Sequence, residues 1–371
     1  MMKILIVFGT RPEAIKMCPL VLELKKHDNI ECTVCLTGQH REMLDQVMGV
    51  FGVKADHDLN IMKAGQSLTS ITVSVLEGME DVLKKEQPDL VLVHGDTTTS
   101  YAAALAAFYR KIPVGHVEAG LRTGNIYSPF PEEVNRLQTD RIASYLFAPT
   151  QLNKSNLLRE GRSDNIFVTG NTVIDSFAYT VKKEYRFHES KLNGLDFDKR
   201  RVIIVTAHRR ENFGMPFENI CNAIKDIASR YDDVSFVYPV HLNPAVRDAV
   251  FDLLSDVKNV MLLDPVDVFD MHNMIARCYM VMTDSGGLQE EAPHFGKPVL
   301  VLRTETERPE AVEAGTVKVV GVDKENIISE AQKLLDHKDA YDLMAAAVNP
   351  YGDGHACERI VEAILNSEEF F

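Results

Sequence analysis

Asp89-Leu90-Val91-Leu92-Val93 runs directly into His94-Gly95-Asp96-Thr97-Thr98-Thr99. A short β-type run meets a glycine turn that carries an acid, and a helix-length amphipathic stretch over 98–109 follows. The same unit recurs along the chain. Residues 3–8 lead into Gly9-Thr10-Arg11-Pro12-Glu13, and 114–117 lead into Glu118-Ala119-Gly120-Leu121-Arg122. Further short runs at 31–36, 145–148 and 166–168 are separated by amphipathic stretches such as 14–27 and 68–85. This alternation predicts an α/β fold with a doubly wound parallel sheet. In such a sheet ligands bind outside the carboxyl ends of the strands. Arg11, Asp96 and Glu118 are therefore expected to converge, and a cation among carboxylates suits an anion beside proton-transfer chemistry.

A second set of strand-like runs covers 201–206, 234–238, 260–263, 279–283, 299–302 and 317–320, after a polar stretch at 182–199. At 371 residues the chain has room for two domains. The expected division is 1–170, joined by the C-terminal helix at 354–365, and 171–371, with a hinge near Gly170-Asn171-Thr172. Two Rossmann-like doubly wound domains facing a cleft are expected. No Gly-x-Gly-x-x-Gly or Walker loop stands at a strand–helix turn, which counts against a dinucleotide.

The formal charge is −14, the wrong sign for nonspecific nucleic-acid binding. An anionic ligand must be held by a local basic pocket, which favours a small phosphate compound over a polymer. No apolar run reaches the length of a membrane span. The start, residues 1–8, is too short for a signal peptide and reads as a buried strand, so a cytoplasmic protein is expected. Of the six cysteines only Cys32 and Cys35 are close, on one strand with side chains on opposite faces. No histidine cluster has metal-ligand spacing, and neither metal nor cofactor is expected.

In the second half, Thr206-Ala207-His208-Arg209-Arg210-Glu211-Asn212 ends a strand, with Asn212 placed to cap the following helix. Asp284-Ser285-Gly286-Gly287 is followed by Leu288-Gln289-Glu290-Glu291. The two glycines let backbone amides approach a phosphate, and Glu291, one turn on, suits the two hydroxyls of a ribose. With 303–310, rich in arginine and glutamate, this reads as a seat for a nucleoside diphosphate. Blander readings compete for each carboxylate: Asp96 as a helix cap, Glu118 as an ion-pair partner of Arg122, and Glu132 and Glu133 as first-turn acids after Pro131. His94 and His116 read as buried supports.

Taken in order, Gly9-Thr10-Arg11-Pro12-Glu13-Ala14-Ile15-Lys16, His94 to Thr99, Gly115 to Arg122, Gly170-Asn171-Thr172-Val173-Ile174-Asp175, His208-Arg209-Arg210-Glu211 and Asp284 to Glu291 resemble the bacterial non-hydrolysing UDP-N-acetylglucosamine 2-epimerases. The resemblance runs almost the full chain. It implies a glycosyltransferase-B-like fold, a homodimer, and interconversion of UDP-GlcNAc and UDP-ManNAc. Elimination of UDP would give a 2-acetamidoglucal, and re-addition would complete the inversion. The resemblance also implies that Arg11, Lys16, His208 and Arg308 contact the diphosphate or adjoining sugar, with Ser285, Gly286 and Gly287 on phosphate and Glu291 on ribose. Asp96, Glu118 and Glu132 would be the acid–base carboxylates, with His208 counted among the catalytic groups and Arg136 among those binding substrate. Val266 and Met271 would border the uracil, where the sequence departs from the family's usual side chains. Gln39, His40 and His241 would bind a second UDP-GlcNAc as an activator. Three rivals share these features: a hydrolysing epimerase releasing ManNAc and UDP, a two-domain glycosyltransferase, and a non-catalytic nucleotide-sugar sensor.

Overall fold

The structure, a computed structural model, describes residues 1–38, 41–63 and 65–367, without the side chains of 41–43. The chain forms two compact units, Met1–Tyr179 with Tyr351–Phe371, and Thr180–Pro350. The strands of the first are β1 (Met2–Phe8), β2 (Ile30–Leu36), β3 (His57–Asp58), β4 (Leu90–His94), β5 (Val114–Val117), β6 (Tyr145–Ala148) and β7 (Ile166–Val168). They form one seven-stranded sheet in the order β3-β2-β1-β4-β5-β6-β7, and every pairing is parallel. The second unit contains β8 (Arg201–Thr206), β9 (Val234–Pro239), β10 (Val260–Leu263), β11 (Met280–Thr283), β12 (Val299–Val301) and β13 (Val317–Val319). Its six strands run β10-β9-β8-β11-β12-β13, again all parallel.

Both sheets are doubly wound, so the strand order reverses once, between β1 and β4 in the first unit and between β8 and β11 in the second. The central strands are apolar on both faces because helices cover both sides. Ile4, Leu5, Ile6, Val7 and Phe8 are each essentially inaccessible in β1, as are Val202, Ile203, Ile204 and Val205 in β8. Each unit has its own core, one centred on Leu5, Val7, Val91 and Val93, the other on Ile203, Val205, Phe236 and Met282.

The expected domain boundary at Gly170 differs from the observed division. The helix Thr172–Thr180 stays with the first unit up to Tyr179. Asp175 within it accepts the backbone amides of Ala356 and Cys357 at 3.2 and 2.8 Å, so it caps the final helix, Ala356–Leu365, across the chain. The Asn171 amide also donates to the Tyr351 carbonyl at 2.7 Å. The polar stretch at 182–199 packs onto the second unit: Tyr185 donates its hydroxyl to Asp270 at 2.9 Å, and Phe187 stacks on Phe197.

The first helix begins at Arg11, three residues before the expected 14. The reason is a capping box. The Thr10 hydroxyl accepts the Glu13 amide, and the Glu13 carboxylate accepts the Thr10 amide at 2.7 Å, with Pro12 in the first turn. Glu13 reaches further. It is 2% exposed and also accepts the Gly9 amide at 2.9 Å, the Thr97 hydroxyl at 2.7 Å and the Ser100 hydroxyl at 2.8 Å. One carboxylate thus ties the turn after β1 to the turn after β4. Gly9 is required beside it, since a Cβ there would lie 1.8 Å from the Thr37 hydroxyl.

Glu13→Ala leaves these donors buried without an acceptor and is expected to cost about 3 kcal/mol, with Glu13→Gln losing less. Urea unfolding with the two units' transitions resolved measures this; a loss below about 0.5 kcal/mol in the first unit contradicts the clamp.

Candidate active site

The two reversal points hold most of the residues singled out by sequence. In the first unit, Arg11 and Lys16 follow β1 on the first helix, Asp96 follows β4 and Glu118 follows β5. Glu118 has a φ of 69°, a left-handed backbone that costs a side-chain-bearing residue roughly 1 kcal/mol. Its carboxylate pairs with the Lys16 ammonium and accepts the Asn171 amide group at 3.3 Å, and His94 Nε2 lies 3.5 Å away. The Glu118 side chain is 13% exposed and that of Lys16 18%. Burial pushes the Glu118 carboxyl up, but Lys16 and His94 more than offset it and hold the group well below the usual carboxylate range. Lys16 reaches Glu118, and Arg122 pairs instead with Asp140 at 2.8 Å and Glu160 at 2.6 Å, so an Arg122–Glu118 ion pair is excluded.

Asp96 is not the cap of the helix Thr98–Tyr109; Thr97 is, accepting the Ser100 amide at 3.1 Å. The Asp96 carboxylate instead pairs with the buried Arg136 guanidinium, which also meets Glu133 at 3.0 Å. The neighbouring acids of the helix Glu132–Ile142 divide their roles. Glu133 is 1% exposed and accepts the Thr123 and Gly124 amides at 3.1 Å each, anchoring the preceding loop. Glu132 has a buried Oε2 with no hydrogen bond among the described residues. Arg11 is half-buried and has no ion pair among the described residues, so it is a cation available to an anionic ligand. Behind this set, His116 is fully buried, with Nδ1 2.6 Å from Asp140 and Nε2 2.7 Å from the Gly95 carbonyl. It ties the turn that carries Asp96 to the strand that carries Glu118. Burial pushes the Asp140 carboxyl up, and His116 and Arg122 more than reverse that.

In the second unit, β8 and β11 end side by side, with Thr206 and Thr283 in register and their hydroxyls 2.6 Å apart. His208 leaves one strand and Asp284-Ser285-Gly286-Gly287 the other. Asn212 does not cap the next helix, Met215–Arg230, which starts after Gly214. It is buried, and donates to Asp284 at 3.3 Å and to the Leu302 carbonyl at 3.1 Å. Arg308 pairs with the buried Glu290 and lies over Gly286, where a Cβ would meet its guanidinium at 3.5 Å. Glu291 is half-buried, its Oε2 3.8 Å from Nε2 of the buried His272. Burial drives His272 down to about 3, so that ring is neutral. Val266 and Met271 are half-buried at the start of the helix Val268–Arg277. His241 is exposed, with its ring stacked on His208 at 5.3 Å between centroids. Gln39 and His40 lie outside the described residues.

A family model described as UDP-N-acetylglucosamine 2-epimerase matches residues 22–365. The chain belongs to the UDP-N-acetylglucosamine 2-epimerase family. It is 54% identical over 375 residues to the UDP-N-acetylglucosamine 2-epimerase of Escherichia coli (strain K12), covering 99% of each chain. The crystal structure of the family member from Neisseria meningitidis, bound to UDP-GlcNAc, superposes with a TM-score of 0.88 at 52% identity, over 99% of this chain and 100% of that one. The Methanocaldococcus jannaschii member, in complex with UDP-GlcNAc and UDP, gives a TM-score of 0.78 at 36% identity, over 99% and 100%. The family resemblance read from the motifs therefore holds, as does the α/β architecture of two doubly wound, glycosyltransferase-B-like units.

Sequence reasoning quoted Glu13, Glu133, Asp284 and Glu290 within its motifs without their supporting roles, and did not name Asp140. The capping box at Thr10–Glu13 was a usable signal for the first; the others bond donors that only the fold brings near.

Lys16→Met removes the main cation facing Glu118, so the Glu118 titration is expected to move upward. Carboxyl-carbon NMR reads this. The parent's depressed carboxyl contributes stability above its unfolded pKa and loses it as pH falls through the folded value. The variant's stability deficit is therefore largest near neutral pH and shrinks in acid. An unmoved Glu118 titration contradicts the pairing.

Proposed function

We propose that the protein interconverts UDP-GlcNAc and UDP-ManNAc without releasing free sugar, by eliminating UDP and adding it back. The chemistry explains the residue types. Carbon 2 of the sugar has no adjacent carbonyl, so its proton is too weakly acidic for a carboxylate to take directly. Breaking the bond between the anomeric carbon and the phosphate oxygen changes that. The electron pair leaves with UDP, a carboxylate takes the carbon 2 proton, and a 2-acetamidoglucal remains. Re-addition of UDP, with a proton delivered to the opposite face, gives the epimer.

The observation that carries this reading is the acidic set at the reversal point of the first sheet. Glu118 is kept ionised by Lys16, Asp96 is held by Arg136, and Glu132 presents an oxygen without a partner among the described residues. Inversion needs a proton removed from one face and supplied to the other, hence more than one carboxyl group. Arg11, Lys16, His208 and Arg308, with the amides of Ser285, Gly286 and Gly287, take the diphosphate, whose departure they assist by offsetting its growing charge. Glu291 takes the ribose hydroxyls, and Val266 and Met271 border the uracil. His241, with Gln39 and His40, takes a second UDP-GlcNAc as activator. The protein works as a cytoplasmic homodimer, needs no metal or cofactor, and supplies ManNAc units for cell-surface polysaccharide.

Incubation with UDP-GlcNAc in deuterated water tests the reading. Proton NMR is expected to show deuterium at carbon 2 and a manno-configured UDP sugar, without a build-up of UDP. Accumulating ManNAc, or product only with an added acceptor, would overturn it. Asp96→Asn is expected to lower turnover by about 10²-fold or more while UDP affinity stays within about twofold. Glu291→Ala is expected to weaken UDP binding about tenfold, measured by calorimetry, and an unchanged affinity removes Glu291 from the ribose site.

A further inference from the structure

Asp284 is completely buried at the carboxyl end of β11. Its Oδ2 accepts the backbone amides of His208 and Arg209 at 2.7 and 2.8 Å, and the Asn212 side-chain amide at 3.3 Å. One carboxylate oxygen therefore builds the turn that carries His208. Its other oxygen, Oδ1, is buried and has no hydrogen bond among the described residues. His208 Nδ1 lies 3.3 Å from it. A buried carboxylate oxygen without a donor is costly, and a small rotation of the imidazole brings Nδ1–H onto Oδ1.

The consequence lies at the other ring nitrogen. With Nδ1–H turned toward Asp284, Nε2 of a neutral imidazole is a bare lone pair. A lone pair repels a phosphate oxygen. The ring can donate to an anion from Nε2 only after taking up a second proton.

We propose that Asp284 is a positioning residue for His208: it fixes the ring with Nδ1–H inward, so that His208 engages the diphosphate only as imidazolium and substrate binding draws a proton from solvent. This rests on the reading of His208 as a diphosphate contact. The charged and titratable groups facing the ring are Asp284, which follows β11, the His241 ring stacked 9° from parallel, and Arg209 next in the chain. In the free protein burial lowers the His208 pKa from 6.5, with Asp284 acting upward and His241 and Arg209 downward. The ring is then neutral at about pH 7.5. A diphosphate adds negative charge and raises the value, so protons are taken up between the free and bound pKa, and affinity falls as pH rises past the bound one.

Asp284→Asn distinguishes this role from a merely structural one. The asparagine oxygen still accepts the amides of His208 and Arg209. Its NH₂ group now donates to Nδ1, so the neutral ring carries its proton on Nε2 and meets phosphate without proton uptake. UDP-GlcNAc is titrated calorimetrically into the intact protein near pH 7.5 in buffers of different ionisation enthalpy; the heat of epimerisation is the same in each buffer. The parent is expected to take up a large fraction of one proton, and Asp284→Asn close to none, with an affinity changing by about twofold or less between roughly pH 7 and 8.5. Equal proton uptake in both proteins, or none in the parent despite binding, overturns the inference. Failure of the parent to bind UDP-GlcNAc overturns the functional reading and this inference with it. Nitrogen NMR of the unaltered free protein, with the His208 signals identified by their loss in His208→Asn, is a check that does not need the Asp284 variant to fold. A ring protonated at Nδ1 supports the assignment, and one protonated only at Nε2 contradicts it.

Discussion

A carboxylate taken out of water must be matched by donors or cations, and in both units the matching groups come from the segment that follows another strand of the same sheet. Glu118 at the end of β5 depends on Lys16 from the helix after β1. Glu13 from that same helix gathers donors from the turn after β4. Asp284 at the end of β11 gathers the amides that follow β8. Glu13 and Asp284 thus each join two strand ends that are far apart in sequence and adjacent in the sheet, and Glu118 reaches past β4 to the helix after β1. These pairings convert a generic parallel fold into loops of fixed shape, and the functional side chains are set by that shape.

The two sheets share one strand order around their central strands, β3-β2-β1-β4-β5-β6 and β10-β9-β8-β11-β12-β13. Their reversal points have been furnished differently. The first carries carboxylates with a lysine and two arginines, chemistry for moving protons beside an anion. The second carries a histidine, paired glycines, an arginine and a half-buried glutamate, the set proposed above to take the nucleotide. Elimination of a nucleoside diphosphate from a sugar needs both kinds: stabilisation of the leaving group and exchange of a proton at the carbon left behind. The chain's membership of the UDP-N-acetylglucosamine 2-epimerase family fits the division of labour proposed above.

Much of this was legible in the sequence. The strand–turn–helix alternation fixes the sheet class, and Asp96, Glu118, His208 and the Asp284 motif announce themselves by standing where strands end. What escaped has a physical reason in each case. The start of the first helix was misplaced because Gly9-Thr10-Arg11-Pro12-Glu13 looks like loop until the reciprocal Thr10–Glu13 bonds are counted. Glu118 and Arg122 are four apart and suggest an ion pair, but the left-handed backbone at Glu118 aims its carboxylate at Lys16. Glu132 and Glu133 are equivalent in sequence; only the amides that the fold brings to Glu133 separate the loop anchor from the acid whose buried oxygen has no partner among the described residues. Asn212 stands where a cap belongs, yet the helix starts only at Met215, after Gly214, and the Asn212 side chain anchors on Asp284 instead.

The central claim is that the bond between the anomeric carbon and phosphate breaks and re-forms on the protein. Positional isotope exchange tests it most directly. UDP-GlcNAc labelled with oxygen-18 at the bridge between the sugar and the β-phosphate is incubated with the protein, and the recovered nucleotide sugar is read by phosphorus NMR. The account predicts that the label spreads into the non-bridging β-phosphate positions as the freed phosphate rotates before re-addition. Epimerised product that keeps all of its label in the bridge contradicts it.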